Sequence, residues 1–290
     1  MLLQRIITAS ILASLIALGV FLLPIEYFSL LMAIIALIGG WEWCSLIGIR
    51  SPIKRGLFLV LMVIPMLGIQ FWTQLLEVAA TILDWTDIRT YSGALEWLVV
   101  APVLFWILMM VMIRNSPGGI LKLQLKMRYK VFIGWFILLA TWMFMSRLRS
   151  FYGPEMTMYF LLLIWTADVA AYFVGKKYGT VKLSPEISPG KTVQGMYGAL
   201  ASGALCGGIL CLIYLFPIMI SADFVLLSAL TVLISIYGDL FFSVVKRQRG
   251  VKDSGSILPG HGGILDRIDS IVAAAPFFYA GVFLIYRSVS

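Results

Sequence analysis

The chain has 290 residues, of which 61% are hydrophobic and only 12% charged, with a formal net charge of +8 and a mean hydropathy of +0.99. A soluble domain is typically about 45–50% apolar and about 25% charged, so too few polar groups remain here to cover a water-facing surface. Disorder is excluded because it needs low hydrophobicity and high charge. A membrane β-barrel is excluded because its strands alternate apolar and polar residues. The expectation is an all-α polytopic integral membrane bundle of about nine transmembrane helices.

In chain order, nine segments approach the ~20 apolar residues that a span needs: 6–23, 28–48, 56–75, 95–113, 131–147, 156–175, 193–217, 222–243 and 264–286. The first follows Arg5 and exceeds the roughly 7–15 apolar residues of a signal-peptide core, so it reads as a retained span. Between spans, 18 of the 22 Lys and Arg residues fall on alternate loops. The positive-inside rule then places the N-terminus in the cytoplasm and the C-terminus outside. Arg147 and Arg149 fit this assignment least, since they fall at an outer loop. Residues 74–91 read as an interfacial helix with apolar spacing at Leu75, Val78, Ala79 and Ile82, and residues 121–130 as a basic interfacial segment. Cys44, Cys206 and Cys211 lack metal-ligand spacing and read as free thiols. The excess positive charge suits anionic lipid or phosphate rather than nucleic acid. The simplest parse of 1–290 is one membrane domain, with N-terminal helices of unassigned role (1–150) and a C-terminal half carrying the chemistry (151–290).

Ionisable residues inside spans cost about 2.5–3.5 kcal/mol each on insertion scales. Asp168, Asp239, Asp266 and Asp269 accept that cost, all toward the cytoplasmic ends of their helices under this orientation. Three readings stand: a structural network with Lys246, Arg247 and Arg267, a hard metal ion held by carboxylate oxygens, or an ion pathway. The loops favour the metal. Residues 243–263 combine four cations with five glycines just before a helix, a composition whose backbone N–H groups can converge on phosphate. Residues 175–192 carry Lys176, Lys177, Lys182 and Lys191 with hydroxyls at Ser184, Ser188 and Thr192, and end at a helix start.

The run from Ser243 to Asp269, with Lys246, Arg247, Lys252, Asp253, Gly255, Leu258, Pro259, His261, Gly262, Gly263, Asp266 and Arg267 at their positions, resembles the signature of phosphatidate cytidylyltransferases, also called CDP-diacylglycerol synthases. The upstream stretches around Asp239 and around Ser184 to Thr192 look like this family too, so the resemblance covers about residues 160–270. It implies transfer of CMP from CTP to phosphatidate, giving CDP-diacylglycerol and pyrophosphate. It also implies Mg²⁺, a second, monovalent cation such as K⁺, a homodimer, and membrane lipids as partners. A bacterial inner membrane suits the free thiols and small size.

On this reading Asp239 and Asp266 bind the metal, with Asp168 a further ligand or the partner of Lys176 or Lys177. Asp269 is a second ligand or orients Arg267. Lys246, Arg247, Lys252 and Arg267 hold the triphosphate. Ser188 and Lys191 form the second wall of the site, and Ser243, His261, Gly262 and Gly263 complete the substrate contacts. The rivals are a CTP-dependent polyprenol or phytol kinase, and a transporter using the intramembrane aspartates. The carboxylates gather at one side and no inverted repeat is visible, which disfavours transport.

Overall fold

The structure, a computed structural model, describes residues 13–257 and 262–289, apart from the side chains at 86, 89, 90 and 289. The described helices are α1 (Ala13–Leu22), α2 (Ile25–Leu46), α3 (Pro52–Gln70), α4 (Trp72–Ile82), α5 (Val100–Asn115), α6 (Pro117–Lys122), α7 (Met127–Tyr178), α8 (Val193–Tyr214), α9 (Ile218–Arg249) and α10 (Leu265–Val289), with a 3₁₀ stretch over Thr86–Val99. A short antiparallel hairpin, β1 (Lys182–Ser184) and β2 (Ser188–Thr192), stands between α7 and α8. Among the described residues the bundle is helical apart from that hairpin, which occupies what the sequence reads as an irregular basic loop.

Among the described residues, seven helical segments are long and apolar enough to cross a membrane. One of them, the 52-residue α7, turns back on itself at Gly153, whose φ of 82° is in the left-handed region that glycine tolerates. Its contacts with α10 show the reversal. Thr141 reaches the Val272 carbonyl, Phe144 and Tyr152 meet Tyr279, Tyr152 also meets Tyr286, and Tyr159 and Phe160 meet Phe278 on the way back. The two arms match the expected spans 131–147 and 156–175. The first expected span, 6–23, lies partly outside the described residues.

Arg147 and Arg149, the misfits of the charge pattern, belong to the helix interior rather than to an outer loop. Arg147 pairs with Glu96, which also accepts a hydrogen bond from Tyr279. Arg149 donates through Nε to the Val20 carbonyl at 2.8 Å, satisfying the end of α1. Loop charge therefore says nothing about these two residues. The helix expected in 74–91 forms as α4, but it buries Leu76 and Ala80, whereas Leu75, Val78 and Ile82 point outward. That is the arrangement of a helix whose apolar stripe faces lipid rather than the core.

α10 lies at the centre. In its most apolar window 56% of residues are buried, against 17% for α3, whose Leu57, Leu61 and Ile64 are exposed to the surroundings. Inside a membrane the helices gain no hydrophobic drive to associate, so close contact depends on small residues. At Gly207 a Cβ would come within 2.8 Å of Val225 Cα. At Gly238 it would come within 2.9 Å of the Asp269 carbonyl oxygen and 2.5 Å of Ala273 Cβ. The second contact matters most, because it lays the segment bearing Asp239 directly on the segment bearing Asp269. Gly238→Val should destabilise the detergent-solubilised protein by about 1–3 kcal/mol through overpacking, seen as a lower unfolding temperature. Gly208→Ala should be tolerated, since Gly208 has nothing within 4 Å of its missing Cβ.

Candidate active site

The helical repeat puts Asp239, Ser243 and Lys246 on one face of α9, and Asp266 and Asp269 on one face of α10. The chain leaves α9 at Gly250, whose φ of 74° makes a left-handed cap. On the other side, the Thr192 hydroxyl caps α8 by accepting from the Gly195 amide at 3.1 Å. That cap fixes the end of β2 and aims Lys191 across at α9. The Arg247 Nε donates to the Ile187 carbonyl at 3.4 Å, tying the hairpin to the last turns of α9.

Two lysines stand among the aspartates. Lys191 Nζ lies 2.6 Å from Asp239 Oδ2 and donates to the Ile236 carbonyl at 3.3 Å. Ser243 Oγ donates to Asp239 Oδ1 at 3.3 Å. Lys246 Nζ lies 2.7 Å from Asp266 Oδ1. Asp269 accepts from the Ser270 amide at 2.9 Å and stands within electrostatic reach of Asp239, Lys246 and Lys191. Asp168, on the descending arm of α7, is within reach of Lys191 and Asp239.

The two ion pairs differ in kind. Lys246 and Asp266 are only 12% and 10% exposed. Removing one partner of so desolvated a pair costs about 3–5 kcal/mol. Asp266 Oδ2 is also filled, accepting from the Ser254 amide at 2.8 Å, the Ser254 hydroxyl at 3.0 Å and the Gly263 amide at 3.0 Å. The Lys191–Asp239 pair is half-buried, 26% and 31% exposed, so it is held less firmly than the nearly buried Lys246–Asp266 pair. Asp266 is therefore an anchor for the glycine-rich loop, while Asp239 and Lys191 can part more readily to meet incoming groups.

The structure gathers Asp168, Asp239, Asp266, Asp269, Lys191, Lys246 and Ser243 at one end of the bundle. Gly262 and Gly263 lie beside Asp266, and Gly262 has a φ of 83°. Arg247, Lys252 and Arg267 are exposed around the cluster, and Ser188 is half-buried at the start of β2. His261 lies outside the described residues. Asp168 has Lys191 for its cationic neighbour, whereas Lys176 and Lys177 lie over the rings of Tyr172 and Tyr178. Asp168 and Asp239 each sit ten residues before the ends of their helices, at Tyr178 and Arg249. That is about 15 Å, or nearly three turns, because both helices continue past the apolar region.

One carboxylate escapes the reading by motif. Glu42 of α2 is 2% exposed and reaches the glycine-rich loop from the N-terminal half. Its oxygens accept from the Ser254 hydroxyl and from the Ile264 and Leu265 amides, all at 2.9 Å. The signal was present, since Glu42 is an ionisable residue inside an apolar span.

Magnesium prefers oxygen ligands and is usually held by one or two carboxylates together with substrate phosphates. Among the described residues, no three Asp, Glu, His or Cys side chains form a group that could hold an ion by themselves. The donor set nevertheless fits that mode of binding. Four carboxylates face two ammonium groups here, leaving formally two negative charges for a divalent cation to offset. A cavity of about 220 Å³ among Trp43, Met109, Ile133, Phe241 and Val244, and one of about 720 Å³ beside Glu96, Arg147 and Tyr279, are both lined by other residues.

The sequence matches the cytidylyltransferase family over residues 3–285. It is 34% identical over 281 residues, 97% of this chain and 96% of the relative, to a protein named phosphatidate cytidylyltransferase from Pseudomonas aeruginosa. Identity is 32% over 290 residues, 96% of this chain and 97% of the relative, to a protein of the same name from Haemophilus influenzae. A third relative of that name, from Bacillus subtilis, is 45% identical over 131 residues, 44% of this chain and 47% of its own length. With a match across nearly its whole length and four intramembrane aspartates gathered about two lysines, the chain belongs to the cytidylyltransferase family.

Proposed function

We propose that the protein is a phosphatidate cytidylyltransferase, joining CTP and phosphatidate to give CDP-diacylglycerol and pyrophosphate in phospholipid synthesis. The observation that carries this reading is the Asp239–Lys191 pair, half-buried but accessible, beside Asp269 and Lys246 at the end of an apolar bundle. A lipid phosphate in the bilayer and a nucleotide triphosphate in water can meet only at such a rim. The basic loops support a cytoplasmic rim, in a bacterial inner membrane.

A phosphate oxygen of phosphatidate attacks the α-phosphorus of CTP in line with the bond to the β-phosphate. The new P–O bond forms as that bond breaks, and pyrophosphate leaves with the bonding electrons. The nucleophile is already an anion at neutral pH, so positioning and charge neutralisation carry the rate and no general base is needed. Asp239 and the Oδ1 side of Asp266 would hold Mg²⁺ together with substrate phosphate oxygens, with Asp269 and Asp168 adding negative potential behind them. When bound, the ion screens the two anionic reactants from each other and stabilises charge on the transferring phosphate. Lys191 releases Asp239 and turns to a phosphate oxygen. Lys246 keeps Asp266 and the loop in place while its charge faces the same space. Arg247, Lys252 and Arg267 attract the triphosphate at the rim.

Purified protein given CTP labelled at the α-phosphate should move the label into lipid and release pyrophosphate. Label appearing in CDP, with phosphate transferred to a lipid alcohol, would identify a kinase instead. Lys191→Ala should raise the KM for CTP about tenfold, the loss of one charge-assisted contact of about 1.5 kcal/mol. An unchanged KM would remove Lys191 from the triphosphate site.

A further inference from the structure

Glu42 is buried, charged, outside the signature run, and unused by the mechanism above. We infer that Glu42 is a positioning residue for nucleotidyl transfer: it holds the glycine-rich loop and, through the Ser254 hydroxyl, sets the place of Asp266. The inference rests on the proposed cytidylyltransfer reading and adds a residue to it.

The geometry is specific. Glu42 Oε2 accepts from Ser254 Oγ and from the Leu265 amide, and Oε1 accepts from the Ile264 amide, each at 2.9 Å. The two amides open α10, so one carboxylate satisfies the orphan donors of a helix start and meets its positive end. The same Ser254 hydroxyl lies 3.0 Å from Asp266 Oδ2. It has one proton for two carboxylates and so couples their positions. Gly263 sits between them, its amide on Asp266, and any Cβ there would collide with Ser254 Oγ and Glu42 Oε2. At Gly255 a Cβ would come within 2.7 Å of Glu42 Oε1. Both glycines are thus required by the carboxylate from α2. Asp266 is 27 residues from Asp239 but depends on a side chain 224 residues earlier.

An amide at position 42 keeps one acceptor oxygen and turns an NH₂ group toward donors. Glu42→Gln should therefore leave the helices packed while freeing the loop. Loss of a partner that orients a ligand side chain typically costs about 10–100-fold in activity. The expected result is a kcat for cytidylyl transfer lower by about that factor, with faster hydrogen exchange of the Ile264 and Leu265 amides in the ligand-free protein. Glu42→Asp should recover part of the loss. Ser254→Ala removes only the shared hydroxyl and should lower kcat less. The double variant Glu42→Gln/Ser254→Ala should be no worse than Glu42→Gln alone, because both act through one contact.

The control is Trp43→Phe, on the next position of α2, which removes the hydrogen bond from Nε1 to the Lys130 carbonyl and part of a ring packed on Phe241 and Phe242, without touching the glycine-rich loop. It should lower the unfolding temperature and leave kcat near wild type. Three results would overturn the inference: kcat loss that follows unfolding temperature alike in Glu42→Gln and Trp43→Phe, additive effects in the double variant, or unchanged exchange at Ile264 and Leu265. If Glu42→Gln does not fold, Ser254→Ala decides, and wild-type kcat in that variant overturns the inference. Absence of transfer by the wild-type protein would instead refute the reading of the reaction.

Discussion

Asp239→Asn should lower the kcat for transfer from CTP to phosphatidate by about 10²–10³, the scale seen when one group stabilising transition-state charge is removed. The substitution keeps the shape of the side chain and an oxygen able to accept from Ser243, which now lies 3.3 Å away. It removes the charge that faces Lys191 and that would hold a cation. The Lys191–Asp239 pair is half-buried and less desolvated than the Lys246–Asp266 pair, so the unfolding temperature should fall less than in Asp266→Asn. Loss of activity with retention of the fold is the signature of a group that acts on the reactants. Equal kcat in wild type and variant would take Asp239 out of the site.

Asp266→Asn should be as damaging to activity, but by a different route and with a visible structural cost. Its Oδ1 faces Lys246 in a nearly buried pair, and its Oδ2 takes two amides and a hydroxyl. An asparagine cannot satisfy both ends, since its NH₂ group must face either the ammonium or the loop donors. The uncompensated Lys246 should cost about 3–5 kcal/mol, and the loop should loosen. Limited trypsin digestion should then cut faster at the exposed Arg249 and Lys252. Asp239→Asn should show no such change. Wild-type resistance to trypsin in Asp266→Asn would mean that the loop is held by other contacts.

These two aspartates were legible in the sequence because burying a charge is expensive wherever it happens, and Asp168 and Asp269 stood out for the same reason. Lys191 was legible as a cation at a helix start, and Thr192 caps that helix as its position suggests. The same rule applied to Glu42 would have flagged it, yet Glu42 sits in the N-terminal half, where the resemblance offered no motif. Its partners are backbone amides more than two hundred residues away, and pairing of that range leaves no periodic trace. The span pattern was readable from apolar length, including the two arms of α7. The turn at Gly153 depends on one positive φ, which sequence spacing does not reveal. The β hairpin escaped notice because strands of three and five residues are too short to show alternation. The outward stripe of α4 followed from its spacing, since an interfacial helix turns its apolar residues to lipid.

The central claim is that carboxylates from separate helices bind a divalent cation that lets two anionic phosphates react. Label passing from CTP into lipid should be followed with purified, chelator-treated protein across a range of Mg²⁺ concentrations. The account predicts no transfer without the ion, full recovery with it, and a half-activating concentration at least about tenfold higher in Asp239→Asn. Undiminished transfer in chelator, or the same Mg²⁺ dependence in both proteins, would contradict it.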